Sequence, residues 1–388
     1  VSTNLSVLGF FKYFGFFADS FVALLGRLGM DPSPLTLHII LPVGISFYTF
    51  QTLSYTVDIY RGEIQPRTNF LDFALYLSFF PQLVAGPIER ASRLLPQIEQ
   101  PRKLTTSQAD AGLYLVLWGY FKKLVIADNL AAIVDPGFSA PDSIKGWAVV
   151  LLLFGFSVQI YCDFSGYTDI ARGIAKLLGF DLMLNFQLPY FALNPQDHWN
   201  RWHVSLSSWL RDYLYIPLGG NRKGSFQTYR NLMLTMLIGG LWHGAAWNFV
   251  FWGLFHGILL SVHRAYRRWR GPRTTDLSVL AAAWRMAAMF SCVMLSWALF
   301  RVSSLGDTLA LLRGLWEASN VPLGKAFLDV LFFSAPLIIV QFAQHFTRDL
   351  LVIQRLPWPL RSVIYAFFGL WLLVFAERET SQFIYFQF

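Results

Sequence analysis

His243 lies in an apolar run, Leu232 to Val262, that reads LMLTMLIGGLWHGAAWNFVFWGLFHGILLSV. The run contains no Asp, Glu, Lys or Arg, and its one other imidazole is His256. A neutral imidazole can take a proton from a hydroxyl and later return it, and its ordinary pKa of about 6.5 suits that exchange near neutral pH. General-base catalysis of this kind typically contributes ~10²–10⁴-fold. The run is long enough to cross a bilayer, which needs about 20 residues. An ionisable group at membrane depth is costly, and by default it is a functional-site hypothesis. On the residues alone, a structural histidine bonded between helices, or one lining a transport path, competes with a catalytic one.

Three more segments carry chemistry. Asp197 to Leu214, DHWNRWHVSLSSWLRDYL, sets His198 and His203 among Trp199, Trp202 and Trp209, with Arg201, Arg211 and Asp212 nearby. The tryptophan spacings of three and seven predict one aromatic helix face, and the charges predict an interfacial or cavity-lining helix; a snorkelling amphipathic anchor is the plainer reading. Tyr161 to Gly173, YCDFSGYTDIARG, places Asp163, Ser165, Tyr167, Asp169 and Arg172 after an apolar span. Carboxylates beside hydroxyls can bind a cation or orient a base, but Asp169 and Arg172 are spaced for a helical i,i+3 pair, the favoured reading. The C-terminal FIYFQF, Phe383 to Phe388, is an aromatic interface anchor or a tail that folds back and offers the Tyr385 hydroxyl as a nucleophile activated by a base. No metal is expected, because the histidines are not spaced as ligands on one helical turn.

The elements that position these residues are read from composition. Of 388 residues, 55% are hydrophobic and 14% charged, against about 25% charged in a soluble domain. With a mean hydropathy of +0.45, the chain is expected to be an all-α polytopic membrane protein whose one obligatory partner is the lipid bilayer. The net charge of +8 comes in short clusters between apolar spans, a positive-inside pattern, and no nucleic-acid partner is expected. Cys162 and Cys292 are far apart, fit no metal spacing and read as buried structural residues. No cleavable signal peptide is expected from the residues given. Apolar stretches near 5–26, 35–57, 70–87, 110–134, 146–162, 229–262, 277–300, 327–347 and 361–376 predict about eight to ten membrane helices, with 229–262 holding two elements. Pro81, Pro87, Gly219, Gly220, Gly239 and Gly240 interrupt spans, and broken backbone at membrane depth requires a packed interior or a wet cavity. Basic loops at 263–273, 219–230, 90–103 and 348–361 are assigned to the cytoplasmic side, which places the C-terminus outside. No internal repeat or long linker divides the chain, so residues 1–388 read as one membrane domain.

Six ordered segments resemble the membrane-bound O-acyltransferase family, in its bacterial alginate O-acetylation branch. They are LPVGISFYTFQTLSYTVDIYRGE at 41–63, FFPQLVAGPIERASRLLPQ at 79–97, YCDFSGYTDIARGIAKLLGF at 161–180, RWHVSLSSWLRDYLYIPLGGNRKG at 201–224, GGLWHGAAWNFVFWGLFHG at 239–257, and the terminal FIYFQF. Family members carry further spans before a segment like LGFFKYFGFF, so N-terminal transmembrane helices are expected to precede Val1. The resemblance implies a helical core with re-entrant segments and a funnel from the cytoplasm. It implies His243, in WHG, as the main catalytic residue and His203, in RWH, as the second. FIYFQF looks like the C-terminal tyrosine motif of the small partner in D-alanyl transfer to teichoic acids, which makes Tyr385 a candidate acyl relay.

The expected reaction moves an acyl group, in the first place acetyl, from acetyl-CoA or an acyl carrier thioester to a hydroxyl, with no bound cofactor. Arg222, Lys223 and Arg230 are candidate contacts for the donor's phosphates, although a positive-inside loop explains them equally well. The expected setting is the bacterial inner membrane, with a periplasmic SGNH-type acetyltransferase or related acceptor protein passing the group to an exopolysaccharide such as alginate. The alternatives are the same chemistry on peptidoglycan or teichoic acid, and a non-enzymatic transporter or scaffold. The lack of an inverted repeat weighs against common transporter designs.

Overall fold

The computed structural model of the chain describes residues 1–30, 37, 39–42, 44–83, 86–271, 277–319, 324–376 and 383–384. Among them the chain is helical and without strands. In order the helices are α1 (Ser2–Leu8), α2 (Phe14–Arg27), α3 (Ile45–Tyr60), α4 (Phe70–Ser78), α5 (Ala91–Glu99), α6 (Thr106–Tyr120), α7 (Asp128–Ser139) and α8 (Trp147–Leu177). They continue as α9 (Pro195–Arg201), α10 (Val204–Leu210), α11 (Ser225–His243), α12 (Trp247–Arg270), α13 (Val279–Arg301), α14 (Leu305–Gly314), α15 (Lys325–Thr347) and α16 (Trp358–Phe375). A π-helical stretch, Gly9–Tyr13, joins α1 to α2, and another, Phe121–Ala127, joins α6 to α7.

Five helical segments among the described residues are long and apolar enough to cross a membrane: Ser2–Arg27, Trp147–Leu177, Val279–Arg301, Lys325–Thr347 and Trp358–Phe375. This is fewer than the eight to ten spans expected from apolar stretches. Among its described residues the stretch at 70–87 yields only the nine-residue α4. The stretch at 110–134 contains Lys122, Lys123 and Asp128. The run at 229–262 does hold two helices, α11 and α12.

The charges in the 110–134 stretch are tolerated because they are paired inside the bundle. Lys122 Nζ lies 2.8 Å from Asp169 Oδ2 and 2.9 Å from Ser165 Oγ. Lys123 Nζ lies 2.8 Å from Asp128 Oδ1 and 2.6 Å from Asp163 Oδ1. An unpaired charge at such a position would face a desolvation cost of several kcal/mol. Asp169 also meets Arg172 at 3.5 Å, the expected i,i+3 pair, but its shorter contact is with Lys122.

Small residues let the central helices approach backbone to backbone, which in a membrane replaces the missing hydrophobic drive between helices. Gly112 and Gly119 of α6 face Gly173 and Gly166 of α8. A Cβ on Gly119 would lie 2.6 Å from the Gly166 carbonyl oxygen, and one on Gly173 would lie 2.6 Å from the Gly112 carbonyl oxygen. The α11–α12 hairpin is closer still. A Cβ on Gly240 would meet the Phe249 carbonyl oxygen at 2.1 Å, and one on Gly253 would meet that of Met236 at 2.2 Å.

Side-chain ties gather the four basic loops at one end of the bundle. Arg361 reaches Asp110 at 2.9 Å, Arg93 reaches Asp181 at 2.6 Å and Arg90 reaches Asp212 at 3.6 Å. Arg268 donates to Ser225 across the open end of the α11–α12 hairpin. At the other end Gly146 N–H donates to the Gly314 carbonyl at 2.7 Å, and Arg301 pairs with Asp135 at 3.0 Å. This partition is the one the basic-loop pattern requires.

Between α4 and α5, on the basic end, Glu89 is 0% exposed and its carboxylate accepts the Met183 backbone N–H. Burial pushes its pKa from the ordinary 4.5 up to about 7, although the Met183 N–H and the cations Arg93 and Arg90 act in the opposite direction. The folded protein therefore holds this proton more tightly than the unfolded chain does. The resulting stabilisation is complete below pH about 4.5 and is lost as pH rises through about 7. The thermal midpoint of the native protein is expected to fall between roughly pH 5 and pH 8 relative to that of Glu89→Gln, which carries no titrating group there. Parallel melting curves for the two proteins would rule this out.

Overpacking a close helix contact typically costs ~1–3 kcal/mol. Gly240→Ala is therefore expected to lower the thermal midpoint of the detergent-purified protein more than Gly239→Ala, whose Cβ would meet only the movable end of Leu210 at 3.1 Å. Equal shifts would show that the hairpin contact is not limiting.

Candidate active site

His243 is the last residue of α11 and 7% exposed. The 19 residues of α11 rise roughly 28 Å at 1.5 Å each, so the helix carries His243 away from the basic loop where it starts. The last carbonyls of a helix lack partners within the helix and gather negative potential, which a cation offsets. Here Lys12 supplies that cation: its ammonium donates to the Trp242 carbonyl at 2.5 Å and to Ser46 Oγ at 3.0 Å, and lies 3.5 Å from the His243 carbonyl. Tyr13 Oη donates to the Leu241 carbonyl at 3.1 Å. Two residues of the first helical segment thus fix the end of α11.

His203 is positioned by a different device. It lies between α9 and α10 with φ +42° and ψ +54°, a left-handed backbone uncommon outside glycine. The break means that Trp199, Trp202 and Trp209 do not share one helix face, as their spacing had predicted. Trp202 and Trp209 are core residues, and the segment is not an amphipathic anchor on a lipid surface. Chain reversal turns the His203 ring inward, where it is 0% exposed. Among the described residues neither of its ring nitrogens has a hydrogen-bond partner. Leaving a buried polar group unsatisfied costs ~1–3 kcal/mol, so an orphan imidazole points to a ligand or a functional constraint.

The two expected histidines are brought together across one indole. The Trp242 ring centroid is 5.9 Å from that of His203 and 5.1 Å from that of His243. Trp252 and Phe300 close the other sides of His243 at 5.0 and 5.4 Å. The indole N–H groups of Trp242 and Trp252 are buried without a hydrogen-bond partner among the described residues. Two further histidines lie just beyond. His198 and His256 stack at 6.2 Å with 7° between ring planes, and His256 Nε2 lies 3.2 Å from Ser296 Oγ. The sequence separates these two by 58 positions (256 − 198), and no local pattern announces the pairing.

A cavity of about 1020 Å³ opens among α9, α10, α11 and the basic end of α12. Arg211, His263, Arg264, Arg267 and Arg268 line it, and Trp199, Leu210 and Met236 are among its apolar lining. Trp199 packs against Trp252 at 5.7 Å and His256 at 5.1 Å. Two indole rings therefore link the cavity wall to His243. The sequence-predicted donor contacts Arg222, Lys223 and Arg230 are exposed and are not among the lining residues; the arginines that do line the cavity come from Arg211 and the end of α12. Tyr385 lies outside the described residues.

A multi-pass helical membrane protein with buried histidines behind an arginine-lined cavity is the class these features define. The family model of membrane-bound O-acyltransferases matches residues 63–304, and the chain belongs to that family. A protein of Azotobacter vinelandii named "Probable alginate O-acetylase" is 45% identical over 305 residues, covering 79% of this chain and 59% of that protein. The peptidoglycan O-acetyltransferase of Helicobacter pylori is 42% identical over 347 residues, covering 82% of this chain and 64% of that protein. The teichoic acid D-alanyltransferase of Bacillus subtilis is 27% identical over 238 residues, covering 58% of this chain and 60% of that protein. The chain thus spans about three fifths of the length of these curated relatives.

Because the His203 ring makes no hydrogen bond among the described residues, replacing it should cost little stability. His203→Phe is expected to keep the thermal midpoint within about 3 °C of the native value, since removing an unsatisfied buried polar group offsets the poorer fit. A drop of 10 °C or more in a melting assay would mean that His203 is a structural residue.

Proposed function

We propose that this chain is an O-acyltransferase that moves an acyl group, in the first place acetyl, from a cytosolic thioester to a hydroxyl at membrane depth. The observation that carries the reading is the orphan, fully buried His203 ring set beside Trp242 and His243, behind a cavity whose mouth is cationic and whose wall is partly apolar. A thioester such as acetyl-CoA, or one borne on an acyl carrier, is anionic at one end and apolar at the reacting end. It suits a cavity of that polarity. Arg211, Arg264, Arg267 and Arg268 meet its phosphates; Arg222, Lys223 and Arg230 contribute only to the long-range field that draws an anion to this face. The basic end is cytoplasmic in this reading, the membrane is the bacterial inner membrane and the C-terminus is extracytoplasmic.

His243 takes the proton from the acceptor hydroxyl as its oxygen attacks the thioester carbonyl carbon. A C–O bond forms, and the carbonyl electrons move onto oxygen. The tetrahedral intermediate then collapses, the C–S bond breaks, and the proton on His243 passes to the departing sulfur to give a free thiol. His203 orients the acyl group and steadies the intermediate. In the relay form of the reaction the acceptor is Tyr385; a hydroxyl of a periplasmic SGNH-type acetyltransferase or a related acceptor protein then takes the acyl group, the acyl–tyrosine C–O bond breaks and the Tyr385 hydroxyl is regenerated with the incoming hydroxyl's proton. The final acceptor is an exopolysaccharide such as alginate, in keeping with the names of the relatives at 44–45% identity. Peptidoglycan is the alternative polymer. A relay of this kind answers a compartment problem, because the thioester is cytosolic and the polymer is outside.

Incubation of the purified protein with radiolabelled acetyl thioester should leave label on the chain. His243→Ala is expected to lower the rate by ~10²–10⁴-fold, the range of a lost general base. Full transfer by that variant would remove His243 from the mechanism, and label mapping elsewhere than Tyr385 would remove the tyrosine relay.

A further inference from the structure

Phe383 and Ile384 lie inside the bundle. Helix α16 stops at Phe375, on the end opposite the basic loops, yet Phe383 and Ile384 are 9% and 2% exposed. The Ile384 backbone N–H donates to Asp163 Oδ2 at 2.8 Å. Asp163 lies near the middle of α8, a helix of 31 residues that is a candidate span. Nine residues of extended chain reach at most ~30 Å, which is enough to return from a membrane face to half depth. The Phe383 ring packs 5.2 Å from Tyr167 and 6.2 Å from Phe164, and the Phe164 ring lies 4.8 Å from that of His203. One phenyl ring therefore separates the tail from the histidine site.

We propose that Asp163 is the docking and positioning residue for the C-terminal tail, holding it by the main chain beside His203; its consequence for catalysis rests on the acyl-transfer reading above. The chemistry of the site is suited to a peptide backbone. Lys123 Nζ pairs with Asp163 Oδ1 at 2.6 Å and with Asp128 Oδ1 at 2.8 Å, so the carboxyl group is held in one orientation. Its second oxygen faces the tail and accepts the Ile384 N–H. Phe164 and Tyr167 supply an aromatic wall for the ring at 383. The anchor recognises a backbone N–H, and the Ile384 side chain is buried beside it in the core. This gives the buried Lys123–Asp163–Asp128 cluster a role that the acyl-transfer steps do not.

Hydrogen exchange on the full-length protein in detergent tests the docking without reference to activity. The Ile384 amide is expected to be protected, because it is buried and bonded. Ile384→Pro, which removes the donor together with a buried side chain, is expected to raise exchange of the remaining amides in the C-terminal peptide at least 100-fold and to leave peptides from α6 and α8 unchanged, whereas Ile384→Ala, which keeps the donor, is expected to raise it at least tenfold less. Asp163→Asn is expected to raise exchange at Ile384 by a similar factor, and adding Ile384→Pro to it should change the neighbouring amides no further. An Ile384 amide that exchanges at the free-peptide rate in the native protein overturns the proposal, as does a C-terminal peptide that stays protected in Ile384→Pro. If Asp163→Asn does not fold, the Ile384→Pro result decides alone. Radiolabelled acetyl thioester added to the same samples reports on the reaction separately. A protected tail on a protein that takes no label leaves the docking intact and removes the acyl-transfer reading, whereas label on a protein with an unprotected tail does the reverse.

Discussion

Charges placed among apolar helices must find their counter-charges inside the protein, and that constraint organises this fold. Lys122 and Lys123 are consecutive, sit on the π-helical stretch between α6 and α7, and point to different carboxylates of α8: Asp169 for one, Asp163 for the other. A regular turn would direct consecutive side chains about 100° apart around the helix. The wider π turns adjust where each side chain emerges, a common use of such turns near functional sites. Glycine pairs on the same two helices bring the backbones close enough for these ammonium groups to reach across. Packing and ion pairing are thus one arrangement, and neither would be stable at this depth without the other.

The histidine site follows the opposite rule. The buried lysines and aspartates of the α6–α8 seam are paired, whereas His203 keeps both ring nitrogens free of hydrogen bonds among the described residues. Its surroundings are the rings of Phe164 and Trp242. Such a group adds nothing to stability, and its left-handed backbone adds a further cost. The bundle sustains it because α9, α10 and α11 are held by contacts outside the site: Ser205 Oγ on Asn185 at 2.6 Å, Asn231 on the Leu218 and Gly220 carbonyls at 3.1 Å each, and Lys12 on the end of α11. Holding an orphan polar group on a rigid frame is what preorganised chemistry requires.

Much of the architecture was legible in the amino-acid order. The alternation of apolar runs with basic loops predicted a helical membrane bundle with its cations at one end, and the ties from Arg361 to Asp110 and from Arg268 to Ser225 agree with it. The Asp169–Arg172 pair was legible because it is local. The count of spans was not, since hydropathy averages over a window and cannot tell a lipid-facing helix from an interior one whose lysines have partners. The aromatic face drawn from Trp199, Trp202 and Trp209 failed for a related reason: periodicity assumes a continuous helix, and the left-handed turn at His203 interrupts it.

The sequence by itself determined the class of protein, the family and the two histidines worth examining, because hydropathy, charge and short motifs are properties of neighbouring residues. Tertiary structure alone decided that Trp242 stands between His203 and His243, that His256 stacks on His198, that the cavity arginines come from Arg211 and the end of α12, and that the tail returns to Asp163. Each of these joins residues tens or hundreds of positions apart. Their proximity is set by which helices pack and how closely, and no local pattern records that.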